Sequence, residues 1–391
     1  MSCGIFEHNT LALIATPATY GAEETDLNNF DALPILAGSS MSLGGDDETL
    51  DYLRGTFSQG GHTPGSAYWT VNVNTPLFGG GLNAGALVAL PLDKPLRSAG
   101  FVKQDAFVVD LGAGGVTGNY ALGDLVTKTV GGATVGYLAA IDDSVPTNVL
   151  ALIYNATLAN APVATDGITF ASGGTATASV DAYEAFVYKP TSDCSAMANA
   201  CLRWYYGGVL CVGLGGRANV DFDFSAGKSA KVNFQFTTLF ADPVDLAQPT
   251  DKLPPNTTPP RVVNGYLGVG GYAPTSVAQL QVQLQGDIQI NDDLSAVDGY
   301  SGVDFRGRNP QGSFSHDMTL IAEHDPYDIW KLGGKALLVV RLGTVAGNRF
   351  HFVMPQAQAM RPGMKVDNKK LKYDRKYTLT GNDDELMIFY Y

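Results

Sequence analysis

Apolar and polar residues alternate most regularly in residues 277–291, VAQLQVQLQGDIQIN. Successive side chains of a β-strand point to opposite faces, so this repeat of two predicts a strand with one apolar and one polar face. The apolar positions are Leu280, Val282, Leu284, Ile288 and Ile290. The polar positions are Gln279, Gln281, Gln283, Gln285, Asp287, Gln289 and Asn291. Gly286 is the one break in the apolar row and suggests a bulge or bend.

A second ribbon has the same two-faced pattern. Residues 219–224 and 230–237 alternate in the same way, and residues 225–229, SAGKS, suit a short hairpin loop. The polar positions are Asn219, Asp221, Asp223, Lys231, Asn233 and Gln235. We interpret the amide-rich, base-poor faces of both ribbons as the lining of a water-filled passage. An ordinary sandwich with polar outer faces would give the same alternation.

The rest of the chain predicts short elements. A strand begins at Ala67, a helix is predicted within residues 85–99 with Pro91 and Pro95 at its start or breaking it, and a single turn is expected at 326–332. Residues 38–66 are rich in glycine and have no apolar face, so we expect a long loop. The sequence therefore predicts a mainly β chain with a short flanking helix and a long N-terminal loop.

Residues 119–185 contain a near-repeat with an offset of 42 residues. DLVT at 124–127 and DGIT at 166–169 are each followed by a Gly-Gly pair, at 131–132 and 173–174. Two similar hairpins of this kind predict a small β module inserted into a larger domain. We accordingly divide the chain into residues 1–118, with an N-terminal arm and the long loop, the inserted module 119–185, and residues 186–391.

Composition supports a folded β protein and argues against one class of partner. The 391 residues include 46 Gly and 20 Pro, and 45% are hydrophobic against 16% charged. The formal net charge of −13 disfavours tight binding to nucleic acid, since that binding depends on Lys and Arg at the phosphates. Residues 365–376 stand apart with six basic and two acidic residues, which suits either contact between like copies or a solvated edge strand.

No catalytic or metal-binding constellation is apparent. The GxSxG, HExxH and GK[ST] phosphate-loop patterns are missing, and paired acids such as Asp292 and Asp293 lie beside turn residues. The best metal candidates, His316 and His324 with neighbouring acids, lack ligand spacing. The four cysteines lack the spacing of a disulfide framework or zinc site. We expect no enzyme activity and no cofactor, and neither a signal peptide nor a membrane-spanning segment.

The order of several motifs resembles the major tail tube proteins of long-tailed bacteriophages. The resemblance is strongest over residues 204–245 and 272–391. Its motifs are GGRA at 215–218, TLF at 238–240, DFRGRNPQGS at 304–313, AGNRFHF at 346–352 and GNDDE at 381–385. The third motif is longer by two residues than in the family, and the module 119–185 is absent from the shortest family members, so its role stays open.

The resemblance implies a tail-tube-type β-sandwich whose six copies form rings that stack into a tube. The lumen would be lined by the amides and acids of both ribbons, namely Gln279, Gln281, Gln283, Gln285, Asp287, Gln289, Asp221, Asp223, Asn233 and Gln235. Contacts between rings would come from the long loop and the basic segment, through Asp46, Asp47, Glu48, Leu53, Arg54, Lys369, Lys370 and Lys372.

Partners and location also follow from the resemblance. They are a tape measure protein in the lumen, the tail terminator and distal tail proteins, and DNA that passes without tight binding. Assembly would take place in the bacterial cytoplasm and the product would be a virion tail.

The alternatives to a tail tube protein are another virion β protein, such as a decoration or neck component, and a carbohydrate-binding β protein.

Overall fold

The computed structural model describes residues 9–50, 61–143, 145, 147–255, 258–262, 265–269, 272–274 and 276–391. The chain is mainly β, as the sequence predicts. Its described α-helices are α1 (Asp93–Ser98) and α2 (Pro326–Lys331). The first strands are β1 (Thr10–Ala15), β2 (Asp31–Leu33), β3 (Ser40–Gly45), β4 (Glu48–Thr49), β5 (His62–Thr63), β6 (Ala67–Pro76), β7 (Leu82–Asn83), β8 (Ala86–Leu87) and β9 (Phe101–Gly112).

The remaining strands follow in three groups. The first is β10 (Leu125–Lys128), β11 (Thr134–Asp142), β12 (Val149–Tyr154), β13 (Gly167–Phe170), β14 (Thr175–Thr177) and β15 (Tyr183–Pro190). The second is β16 (Ala200–Tyr206), β17 (Val209–Ser225), β18 (Lys231–Asp245), β19 (Tyr266–Val269), β20 (Gln279–Gln283), β21 (Gly286–Asp292) and β22 (Tyr300–Arg308). The third is β23 (Gln311–Asp317), β24 (Lys335–Leu342), β25 (Phe350–Ala359), β26 (Gly363–Asp367), β27 (Lys370–Thr380) and β28 (Met387–Tyr390).

Two layers of strands enclose the main core. The front layer, called the polar-faced sheet below, has the order β3-β6-β18-β17-β20-β23-β27. The back layer includes β24, β25 and β28, and β25 joins the two layers by pairing with β27. Phe352 of the back layer meets Phe222 and Phe224 edge to face, with ring centroids 5.1 and 4.9 Å apart. Each fully buried ring of this kind stabilises the fold by roughly 1.5–3 kcal/mol.

The segment 277–291 is not one strand, which corrects the sequence prediction. β20 ends at Gln283, and β21 begins at Gly286 in a separate two-stranded sheet with β22. The break falls at Gln285, whose φ of 48° lies in the left-handed region that an extended strand cannot use. Leu280, Val282 and Leu284 are buried in the core, whereas Ile288 on β21 is only half-buried.

Other element predictions have mixed outcomes. The hairpin of β17 and β18 is confirmed, and so are the strand from Ala67 and the turn that forms α2. The helix within 85–99 is confined to Asp93–Ser98, because Pro95 fits only the first turn of a helix. The long loop is shorter than predicted, since Ser40–Gly45 forms β3 and pairs with β6 through the buried Met41.

The near-repeat in 119–185 corresponds to two strands related by an approximate two-fold axis. β10 and β13 pair antiparallel with Thr127 opposite Thr169, the same position of the two repeats. The flanking bonds match as well: the N–H of Thr129 donates to the carbonyl of Gly167, and that of Ala171 to the carbonyl of Leu125. These strands share a hydrophobic cluster with β9, whose pairing with β12 and β15 ties the segment to the back layer. The division of the chain into residues 1–118, 119–185 and 186–391 stays a prediction.

Candidate functional site

The outer side of the polar-faced sheet carries continuous lines of polar side chains, most of them uncharged. Residues that pair directly across neighbouring strands project from the same face. One line crosses five strands and consists of Asn74, Asn233, Asp221, Gln283 and Gln311. Four of its five members are amides, so the pattern read from two ribbons extends over a much wider surface.

The neighbouring line is less uniform. It consists of Lys231, Asp223, Gln281, Ser313 and Lys376. A third line, at the other side of the first, contains Asn72, Gln235 and Asn219. The face therefore mixes amides and hydroxyls with a small number of charges of both signs.

Seven of the ten proposed lining residues share this face. They are Gln279, Gln281 and Gln283 on β20, Asp221 and Asp223 on β17, and Asn233 and Gln235 on β18. Gln279 and Gln235 are exposed and the other five are half-buried, so none of the seven lies beneath packed side chains.

The other three proposed lining residues lie elsewhere. Gln285 occupies the connection between β20 and β21, while Asp287 and Gln289 lie on β21 and bond to each other at 2.8 Å. The side chain of Asn219 accepts a 2.9 Å hydrogen bond from the backbone N–H of Gly286, which holds the start of β21 against β17. The structure thus separates these three residues from the sheet that carries the other seven.

The two acids on the face, Asp221 and Asp223, have different surroundings. Gln279 donates to both carboxylate oxygens of Asp223 at 3.0 and 3.1 Å, and the Ser225 hydroxyl donates at 3.2 Å. Burial raises the pKa of the Asp221 carboxyl, since water is partly excluded from the charged form. The neighbouring Oδ1 atom of Asn233 is buried and accepts no hydrogen bond within the described part of the chain.

Several members of the face were missed by the sequence analysis. Asn72 and Asn74 on β6 alternate with the buried Val71 and Val73, and Gln311 and Ser313 continue the face on β23. The alternation in residues 67–76 could have identified the first pair. Residues 311–317 are too short and too rich in serine for their own pattern to show which face is outside.

The basic segment lies next to the amides of β20. β26 and β27 form a hairpin, and β27 pairs with β23, which pairs with β20. Lys365 and Lys372 line a cleft of about 240 Å³ together with Gln279 and Gln281. Lys372 is buried and bonds to Asp367 at 2.8 Å, while Lys370 lies 3.5 Å from Asp317. The polar face is thus bordered at this end by lysines and the acids they pair with, which the sequence did not indicate.

The proposed acidic contact residues lie at the opposite end of the sheet. Asp46, Asp47 and Glu48 are exposed and directly follow β3, whose last residue, Gly45, pairs with Ala67. Leu53 and Arg54 fall outside the described residues. Lys369 is in the turn between β26 and β27 with a φ of 63°.

Comparisons with known proteins give no family assignment. No protein-family model matches the chain, and no curated protein matches it. Within the described ranges no helix is long and apolar enough to cross a membrane. The same residues contain no group of three or more His, Cys, Asp or Glu side chains arranged to hold a metal ion.

Proposed function

We propose that this chain is the structural subunit of a phage tail tube. Six copies would form a ring, and stacked rings would form a channel for DNA with the polar-faced sheets as its wall. The observation that carries this proposal is the line of four amides and one acid that continues across five adjacent strands, from Asn74 to Gln311. A solvated polar face extending across so many strands suits a passage better than a ligand pocket.

The chemistry of the face suits a polyanion that must move. Amide and hydroxyl groups keep a surface hydrated, whereas clustered Lys and Arg would bind phosphates and release counterions. Asp221 and Asp223 add negative charge near the centre of the face. The neighbouring base on β18 is Lys231, which pairs with Asp223. DNA would meet weak repulsion and few sites that could hold it.

An edge strand supports lateral assembly. Within the described pairings β3 bonds to no strand other than β6, and on its other edge the backbone N–H and carbonyl of Met41 bond to the Tyr206 hydroxyl at 3.1 Å. Such an edge is a template for a strand of another chain. Joining the sheets of six copies at their edges would close a barrel and remove the edges.

The partners proposed for this subunit follow from its place in a tail. A tape measure protein would occupy the lumen during assembly, and terminator and distal tail proteins would bind the two ends of the tube. The site of action would be the virion tail, after assembly in the bacterial cytoplasm.

Electron microscopy and accessibility labelling of the purified protein test the proposal. Negative staining should show six-fold rings or tubes of constant bore. Gln283→Cys, in a chain with Cys3→Ser and Cys194→Ser, should react in intact tubes with a small maleimide but much more slowly with a large polymer-linked one. The matched control, Thr177→Cys on the exposed part of β14, should react with both. Dispersed monomers, or equal labelling of the two positions by the large reagent, would contradict the proposal.

A further inference from the structure

The tip of the β21–β22 hairpin combines exposed apolar residues with acids. We call residues 292–299 the acidic tip. Leu294 and Val297 are fully exposed, with relative accessibilities of 110% and 100%, and Asp292, Asp293 and Asp298 surround them. These two aliphatic side chains, three positions apart on one turn, give the tip exposed apolar surface beside its acids.

The acidic tip is held firmly in place. The Asp293 carboxylate accepts hydrogen bonds from the N–H and hydroxyl of Ser295 at 2.8 and 2.6 Å. The N–H of Ala67, at the start of β6, donates to the Asp298 carbonyl at 3.1 Å, and Ser66 bonds to the Tyr300 hydroxyl at 2.7 Å. The tip is thus a shaped surface anchored to the polar-faced sheet, which lowers the entropy lost on binding.

The β26–β27 hairpin has the complementary character. We call residues 363–372 the basic hairpin, because they contain four lysines and a single acid, Asp367. Met364, Val366 and Leu371 are 64%, 71% and 56% exposed. Val366 pairs with Leu371 across the hairpin, and Met364 with Tyr373, so the three apolar side chains share one face.

The two surfaces lie at opposite ends of one molecule. Ala67, which bonds to the acidic tip, is nine residues from Pro76 along β6. Pro76 pairs with Lys231 on the next strand, and this line of paired residues continues across the sheet through Asp223 and Gln281 to Ser313. Asp317, four residues further along β23 in the same direction, pairs with Lys372 of the basic hairpin. At about 3.3 Å per residue the ends are roughly 40 Å apart along the strands.

We propose that the acidic tip of one copy binds the basic hairpin of the next copy, head to tail. Each surface has apolar residues to bury, and the tip is acidic where the hairpin carries lysines. Three of those lysines, Lys365, Lys370 and Lys372, also lie within 4 Å of carboxylates of their own chain. A contact between two different surfaces of one chain repeats from copy to copy, whereas a self-complementary contact stops at a dimer. This inference rests on the proposed function, because it assigns the contact between stacked rings. The exposed acids Asp46, Asp47 and Glu48 lie at the same end as the acidic tip and add to its charge.

Two double variants, each blocking one surface, test the contact. Leu294→Ser with Val297→Ser removes the apolar part of the tip, and Val366→Ser with Leu371→Ser removes that of the hairpin. All four side chains are more than half exposed, so both variants should melt at the wild-type temperature. Val130→Ser, at an apolar residue 86% exposed in the module, is the matched control.

Mixing the variants distinguishes this contact from others. Each variant alone should form single rings that do not stack, while the control should form tubes. An equimolar mixture should form stacks of two rings, because one variant keeps the hairpin and the other keeps the tip. Sedimentation velocity measures the doubling of mass. Raising the salt concentration toward 1 M, where the Debye length is about 3 Å, should dissociate the two-ring stacks.

The outcomes separate this contact from the tail-tube proposal. Tubes formed by both variants would overturn the contact while leaving the ring proposal intact. Linear chains of wild-type protein that are lost in either variant, without rings, would support the contact and contradict the tail-tube proposal. Wild-type protein that stays monomeric would overturn both.

Discussion

At the scale of single residues, burial destabilises the charged form of Asp221 on the polar face. Burial raises its pKa above the ordinary value of about 3.9, so the folded state holds the proton more tightly than the unfolded chain does. The stability that this group contributes is complete below the unfolded pKa and is lost as the pH rises through the folded pKa.

Asp221→Asn should therefore raise the melting temperature at pH 7. The amide keeps the shape of the side chain and carries no charge. It can donate a hydrogen bond to Oδ1 of the neighbouring Asn233, which accepts none from the described residues. The gain should shrink as the pH approaches 3, where the native carboxyl is protonated. Thermal melts from pH 3 to pH 8 measure this, and a gain independent of pH would show that ionisation is not its cause.

His324 has the opposite dependence on pH. Its ring stacks on Tyr272 with centroids 4.0 Å apart, and its Nε2 lies 3.0 Å from Nη1 of the buried Arg375. Burial and the positive charge of Arg375 lower the pKa of His324 to about 4. Because this folded pKa is below the unfolded value of about 6.5, stability is complete above pH 6.5 and is lost as the pH falls toward 4.

His324→Gln should flatten that loss. Glutamine can still accept a hydrogen bond from Arg375 but takes up no proton, so the melting temperature should fall less between pH 6.5 and pH 4.5 than in the wild type. Part of the decline should persist, since burial also lowers the pKa of His316. The same slope in variant and wild type would mean that His324 is not protonated on unfolding in this range.

At the scale of elements, the connection between β20 and β21 shows what a periodic pattern cannot reveal. The alternation is the same on both sides of Gln285, so residues 277–291 look like one strand. The break depends on one backbone angle and on the bond from Gly286 to Asn219, which is 67 positions away along the chain. By contrast, the 42-residue repeat could be predicted, because each hairpin is local in sequence.

Gln285→Gly tests whether the bend is set by backbone conformation. Glycine adopts a φ of 48° without the steric cost of a side chain, roughly 1–2 kcal/mol, although it loses more entropy on folding. We expect an unchanged or slightly raised melting temperature. Gln285→Val should lower it clearly, since β-branched residues disfavour positive φ. Gln283→Val, on the extended strand β20, is the matched control and should be tolerated.

At the scale of the whole molecule, the sequence predicted the two-faced ribbons but not their setting. The basic segment, 80 or more residues after β20 in the chain, lies beside its amides because β23 pairs with both β20 and β27. Pairing between strands so distant in sequence depends on the packing of the whole core, and no local pattern encodes it. The polar face therefore ends in a border of lysines paired with acids, whereas the two ribbons taken alone predict a wall of amides.

This setting sharpens the prediction for DNA passage. In Gln281→Lys with Gln283→Lys, each ring of six copies would gain twelve positive charges at the centre of the face. These charges would stand on β20, whose polar side chains are all glutamines. Phosphates of passing DNA would bind these lysines. Assembly should be unaffected, because both side chains are half-buried and open to solvent.

The measurement is the retention of DNA by assembled tubes, or the rate of DNA ejection where the chain is part of an infectious particle. The lysine variant should retain DNA at low salt, release it as salt rises, and eject it more slowly. Thr175→Lys with Thr177→Lys adds the same charge on exposed positions of the module and should leave both readouts unchanged. If the two variants behave alike, the added charge acts from outside the tube, and β20 does not face the channel.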